Sequence, residues 1–188
     1  MAKLWASGGA VSASAVDTYT ASADAVLDNQ LVEMDVWTNA AHVRMLAARG
    51  YMGAGECDAV LRELSAILAA WRRGEFAVVP EDEDVHTKIE NTVTERIGEA
   101  GQRIHTGRSR NDQVLTDMRL YCKAGLYELA EAVHATAAVF LDFAGKHALV
   151  PMPGYTHMQR AMPSSVGLWA GALAETLGED LGLIARGH

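Results

Sequence analysis

The sequence predicts an all-α fold of the bundle type, and three observations carry that prediction. Apolar residues recur at three- and four-residue spacings over most of the chain, the pattern of helices that bury one face. The longest such pattern, from about Asn111 to Lys146, contains no proline. Three of the four prolines crowd instead into residues 149–163, where they mark a stiff connection between helices.

Taken in order, residues 1–23 are rich in Ala, Ser, Gly and Thr and read as an irregular arm, with Leu4 and Trp5 tucked against the rest. Asp24 can cap a helix whose apolar face runs Leu27, Leu31, Met34, Ala41, Met45 and Ala48, ending at Gly50. After the Gly53–Gly55 turn a second helix presents Val60, Leu61, Leu64, Ile67, Leu68 and Trp71, with Gly74 as its C′ residue. The two make a helical hairpin. Phe76, Val78 and Val79 suggest a short extended piece, too isolated to found a sheet. The acidic run Glu81–Asp84 supplies negative charge to the N-terminus of a third helix, about Asp84 to Gly98, in which Val85, Ile89, Val93 and Ile97 fall four apart.

The long pattern that comes next carries Leu115, Met118, Cys122, Leu129, Val133, Thr136, Val139 and Phe143 on one seam. At about 1.5 Å per residue such a helix nears 50 Å, too long for a compact globule of this size, so it implies a bundle with partners. Residues 149–163 read as a shaped loop, after which Ser164 caps a last helix rich in Gly and Ala. Gly167, Ala170, Gly171, Ala174, Gly178 and Gly182 lower its propensity but let another helix approach closely.

Bulk properties exclude several functions. The 188 residues carry a net charge of −8, which argues against nucleic acid or an anionic membrane as partner. The two cysteines, Cys57 and Cys122, sit at apolar helical positions and read as buried free thiols of a reducing compartment. No zinc-ligand spacing, phosphate loop or Ser-His-Asp order is visible, and no cofactor or metal is expected. The N-terminus has no signal-peptide core and no run of about 18 apolar residues occurs, so a cytoplasmic protein is expected.

Two polar stretches stand out. His105-Thr-Gly-Arg-Ser-Arg-Asn-Asp-Gln113 empties into the N-terminus of the long helix, where free N–H groups and the helix dipole suit an anion. Arg103, His105, Arg108 and Arg110 gather positive charge there in an acidic chain. Tyr155–Gln159 lies at the helix's other end. In one antiparallel bundle those ends lie apart, and symmetric packing of several copies can bring one chain's first stretch beside another's second. Arg108 and Arg110 suit bidentate carboxylate binding, Asn111 and Thr156 can orient a substrate, and His157 and His86 can move protons near neutral pH. His105 is better placed to shape the loop. The ordinary alternatives are a solvated interhelical loop with an Asn-Asp cap, structural histidines, and arginines paired with Asp112 or Asp117.

These stretches resemble argininosuccinate lyase, of the fumarase/aspartase superfamily. His105–Gln113 is similar to that family's His-Thr/Ser-Gly-Arg-Ser-Arg-Asn-Asp-Gln segment, Glu83-Asp84-Val85-His86 to its Glu-Asp-Ile/Val-His segment, and Pro153–Gln159 to its Pro-Gly-Tyr-Thr-His-Leu-Gln segment. Leu4-Trp5 stands where the family has its early Leu-Trp. The resemblance implies reversible anti elimination of argininosuccinate to arginine and fumarate, in arginine biosynthesis and the urea cycle, by a cytoplasmic homotetramer with shared active sites and no cofactor. It makes His157 the catalytic histidine, as base or polariser. It makes Asn111, Thr156, Arg110, His86 and Ser22 substrate-binding. Residues 1–107 would be the arm and N-terminal helical domain, and 108–188 the start of the central bundle.

Two departures qualify what the resemblance implies. Ala6, Ser7 and Gly8 come after Trp5, where many members carry Gly-Gly-Arg-Phe. The chain also ends before the family's Gly-Ser-Ser-x-Met-Pro-x-Lys-x-Asn-Pro loop, which supplies a catalytic serine and a substrate-binding lysine. An N-terminal portion, inactive by itself, is therefore expected. The alternatives are a non-catalytic helical oligomer of the lens-crystallin kind, or another superfamily lyase such as adenylosuccinate lyase.

Overall fold

The computed structural model describes residues 24–79 and 82–187. Ser22, Leu4, Trp5 and the rest of the arm lie outside the described residues, as does Glu81 of the acidic run. Seven α-helices and a two-stranded hairpin occur in order among the described residues: α1 Asp24–Asp28, α2 Val32–Ala48, α3 Ala54–Arg72, α4 Val85–Ile97, α5 Glu99–Gln102, α6 Arg110–Lys146, β1 Pro151–Thr156, β2 Gln159–Ser165 and α7 Val166–Gly187. A 3-10 turn, Arg103–His105, joins α5 to the loop before α6. The all-α expectation holds, with the hairpin as a small exception. Two compact units divide the chain within α6, one reaching Tyr121 and the other starting at Cys122.

In the first unit α2, α3 and α4 enclose an apolar core built on Val32, Val43, Val60, Leu64, Ile67, Ile89 and Val93. The α3 and α4 faces are the ones the spacing predicts. The face of α2 is met only in part. Leu31 and Met34 are buried as expected, but the buried side continues through Val36, Asn39, Val43 and Leu46, whereas Leu27, Ala41, Met45 and Ala48 are exposed. The single helix expected from Asp24 breaks at residues 29–31, which resets the phase of the pattern. Polar Asp35, Thr38 and Asn39 are buried on α2, and an apolar periodicity reads such residues as solvent-facing.

Helix ends obey local chemistry. α2 and α3 both close in Schellman motifs: Tyr51 N–H donates to Leu46 O and Gly50 N–H to Ala47 O, and Glu75 and Gly74 repeat the pattern on Ala70 and Trp71. Gly50 and Gly74 adopt φ of +77° and +74° there. Asp84 caps α4 by accepting from Thr87 N–H at 2.6 Å. The 75–79 segment forms no strand. Asn29 instead clamps Val78 with a bond at 2.8 Å to each of its backbone groups. Gly101 lets α5 fold against α4, since a Cβ there would lie 2.6 Å from Thr94 Cα.

The second unit holds the rest of α6, the hairpin and α7. Residues 149–163, expected as a loop, pair as β1 and β2 in antiparallel register, Pro153 opposite Pro163 and Thr156 opposite Gln159, with an irregularity at Gly154. In a two-stranded ribbon both strands are edges, so prolines cost no ladder that a wider sheet would need. The cap of α7 is Ser165, whose Oγ accepts from Leu168 N–H at 3.0 Å, one residue later than expected. Gly167 closes the junction: its N–H donates to His147 O at 3.1 Å, and a Cβ there would meet Ala148 Cα at 2.5 Å. Cys57 is a buried free thiol as expected, but Cys122 is exposed because the seam it belongs to faces outward.

Candidate active site

The loop His105–Gln113 reaches α6 through reciprocal caps from Ser109 and Asp112. Ser109, not Asn111 or Asp112, is the N-cap. Its Oγ accepts from Asn111 N–H at 3.2 Å, and Asp112 reaches back to accept from Ser109 N–H at 3.2 Å. Gly107, at φ +69°, makes the turn that precedes it. Asn111 is exposed on the first turn of α6, and Arg110 is half-buried with its guanidinium 3.7 Å from Glu90. His42 pins the loop from α2, its Nε2–H donating to Thr106 O at 2.9 Å. Burial, and then the Arg110 charge, hold His105 below its ordinary value, so its ring is neutral at pH 7. A cavity of about 350 Å³ opens beside the loop, lined by Trp37, Thr38, His42, Arg108, Gln113 and Thr116 among others.

Beneath the loop lies a polar cluster that no local pattern reveals, because its members come from positions 35, 38, 39, 86, 108, 113 and 117. Asp35 is fully buried and forms its hub. His86 Nδ1–H donates to Asp35 Oδ1 at 2.7 Å, the Gln113 amide donates to the same oxygen, and Asn39 Nδ2 donates to Oδ2 at 2.8 Å. Arg108 extends the chain by donating to Asn39 Oδ1. Asp117, also fully buried, accepts from the Thr38 hydroxyl at 2.6 Å, while its Oδ2 has no hydrogen-bond partner.

The electrostatics derive from that wiring. Burial pushes the Asp35 carboxyl up, but the His86 hydrogen bond and charge, with Gln113, outweigh it and hold Asp35 below the usual carboxylate range. Burial likewise opposes a charged His86, yet Asp35, Asp84 and Asp117 raise it above its ordinary value. Asp117 is pushed up to about 7, first by burial and then by the Asp35 charge. The ligand-capable atoms of Asp35, His86 and Asp117 lie within 4.8 Å of one another. Asp35 Oδ1 already accepts from two donors, and a cation there would have to displace them. The cluster is a hydrogen-bonded core.

His86, expected to line the site, is thus buried with its Nδ1 committed to Asp35. Arg108 pairs with neither Asp112 nor Asp117 directly; it caps Asn39. The first unit therefore brings His86, Arg108, Arg110 and Asn111 onto one scaffold.

Thr156 and His157 belong to the second unit. Thr156 ends β1, and His157 and Met158 form the two-residue turn with φ of +49° and +62°. Positive φ at both positions is the type I′ pattern, which favours Asn and Gly. His157 is exposed, and Met158 is 98% exposed, at the tip.

Solved structures that match this fold include lyases. EDDS lyase in complex with formate is 26% identical, with a TM-score of 0.71 over 95% of this chain and 35% of that one. A fumarate lyase:delta crystallin from Brucella melitensis, 20% identical, gives a TM-score of 0.72 over 84% of this chain and 39% of that one, a likeness of fold alone. The class is that of the helical-bundle lyases.

The chain belongs to the lyase family, whose sequence profile matches residues 11–186. Its relatives include the argininosuccinate lyase of Sorangium cellulosum, 46% identical over 97% of this chain, and that of Phocaeicola vulgatus, 43% identical over 95%. The chain spans 42% and 40% of those relatives' own lengths. Among the described residues no helix is long and apolar enough to cross a membrane.

Proposed function

We propose that this chain is the N-terminal portion of an argininosuccinate lyase, cleaving argininosuccinate to arginine and fumarate when joined to the rest of its polypeptide. The observation that carries this reading is the exposed, capped loop His105–Gln113, in a chain 46% identical to an argininosuccinate lyase. An N-terminal helix end with adjacent Arg110 offers a carboxylate both backbone donors and charge. In this reading Asn111, Thr156, Arg110 and Ser22 bind substrate, and His157 transfers or polarises the proton removed beside the succinyl carboxylate. His86, being buried, contributes by supporting the loop from beneath. No cofactor takes part.

The same reading assigns the assembly. A homotetramer lets a loop of one copy meet a hairpin tip of another, with residues 1–107 as the N-terminal domain and 108–188 opening the central bundle. Cytoplasmic arginine biosynthesis and the urea cycle are the setting it suggests.

The test is spectroscopic detection of fumarate released from argininosuccinate, using this 188-residue chain and the polypeptide read in frame past His188. The expected result is no useful turnover by the first and rapid cleavage by the second. Release from adenylosuccinate or aspartate, with none from argininosuccinate, would overturn the substrate. Turnover by the 188 residues near that of an intact lyase would overturn the need for a catalytic serine loop beyond His188.

A further inference from the structure

Asp35 touches three side chains beneath the loop, those of His86, Gln113 and Asn39. Gln113 ends the polar stretch and donates into Asp35 Oδ1. Asn39 bridges Asp35 Oδ2 to Arg108. The first turn of α6 is therefore tethered to α2 on both sides, through Gln113 and through Arg108. Asp117, one turn further along α6 than Gln113, sits in the same cluster with one oxygen held by Thr38 and the other unpartnered.

A fully buried carboxylate oxygen that accepts no hydrogen bond, beside a second carboxylate and with His86 Nδ1 no nearer than 3.6 Å, is unfavourable as an anion. As a neutral acid, the same oxygen carries a proton that can be given to Asp35. We propose that Asp35 and Asp117 hold one proton between them, and that this buried pair is the positioning device that fixes the His105–Gln113 loop through Gln113, Asn39 and Arg108. The raised value of Asp117 and the lowered value of Asp35 agree with that division, the proton residing on Asp117.

His86 on α4 faces both carboxylates, at 2.7 Å from Asp35 and 3.6 Å from Asp117. Asp84, at the α4 N-cap, acts on His86. Arg108 in the loop feels Asp35, Asp117, Arg110 and Glu90. Loss of the shared proton adds a second buried anion beside Asp35, and Gln113 and Arg108 are the donor and cationic groups of the loop wired to it. The loop then shifts with pH. Its bearing on catalysis rests on the substrate role proposed for Arg110 and Asn111, but the test does not.

The experiment is an NMR titration of the 188-residue chain with ¹³C-labelled aspartate and ¹⁵N-labelled backbone, from pH 5 to 9. One carboxyl, Asp117, should titrate near pH 7 while Asp35 stays ionised, and the amides of Arg110, Asn111 and Gln113 should move with the same midpoint. Asp117→Asn keeps a neutral donor in place; it should abolish that step in the loop amides while leaving the His42 and His105 titrations, which are expected below their ordinary range. Two carboxyls fully ionised throughout the range would overturn the shared proton. A carboxyl step near 7 with flat loop amides, or a loop step that survives Asp117→Asn, would overturn the positioning role. The wild-type titration alone decides the first point should the variant not fold.

Discussion

The two units solve the problem of burial in opposite ways. The first closes a core of large apolar side chains and then buries a polar cluster beside it. The second buries Ala137, Gly167, Ala170 and Ala174 and no large side chain among its described residues, while Leu129, Val139, Leu141, Trp169 and Leu183 are exposed. The first unit therefore carries its own stability, and the second exposes apolar side chains of the kind that interaction surfaces bury. Site residues divide the same way. Arg110 and Asn111 are held from beneath by a buried network, whereas His157 stands on an unsupported turn.

The sharpest way to break this contrast is to remove the hub of the network. Asp35→Ala leaves His86 and Gln113 facing an empty position and Asp117 without its partner. Breaking a buried pair in this manner costs about 3–5 kcal/mol. Urea denaturation monitored by circular dichroism should show the loss in the first unit; a change below about 1 kcal/mol would mean that the cluster is not part of what holds it together.

A second pair of substitutions compares the two apolar populations directly. Ile67→Ala, in the core, should cost about 2–5 kcal/mol. Leu129→Ala, half-exposed on α6, should stay within about 0.5 kcal/mol for the isolated chain. Its effect should emerge instead in association, as less self-association in light scattering across a concentration series. Equal costs at the two positions would erase the distinction between the units.

How much of this was legible in the sequence depends on the same contrast. Helices α3 and α4 can be read from spacing alone, because their inward residues are apolar and their caps, Gly74 and Asp84, are local. Helix α2 is misread in phase because its inward face carries Asp35, Thr38 and Asn39, whose partners lie on other elements. The cluster is invisible for the same reason: Asp35, His86 and Asp117 become neighbours only through folding. A signal did exist in the Glu-Asp-Val-His segment, since His86 falls one residue after Val85 on a face otherwise apolar. The hairpin is missed because proline argues against strands, an argument that weakens where both strands are edges.

The pH dependence sharpens the role of the buried cluster. Asp117 has an ordinary value of 3.8 and is held near 7 in the fold, so the folded chain binds this proton more tightly than the unfolded chain does. Its contribution is present at acid pH and is lost as pH rises from about 4 through 7, at up to about 1.4 kcal/mol for each pH unit. His86, raised above 6.5, acts in the same direction: its contribution is complete below that value and lost as pH rises through its folded value. Asp35, lowered below 3.8, loses its contribution only in acid, as pH falls through its folded value. Thermal unfolding should thus give a melting temperature that falls from pH 5 to pH 8, with Asp117→Asn flattening the slope. A rise over that range would contradict the assignment of the proton.

The smallest expected effect lies at the tip of the hairpin. Met158 holds φ at +62° with its side chain in solvent, gaining nothing from burial and bearing the steric cost of a left-handed conformation, roughly 1–2 kcal/mol for a residue with a Cβ. Gly removes that cost, so Met158→Gly should slow amide exchange within the hairpin by about fivefold, the factor that 1 kcal/mol represents. No gain in protection would mean that the turn is relaxed as it stands. His157, at +49°, bears the same strain, and there the Gly substitution would remove the ring as well. A turn built from His and Met where Asn and Gly fit better is one whose side chains are kept for something other than turning the chain. Met158→Gly isolates the backbone part of that cost while leaving the imidazole of His157 in place.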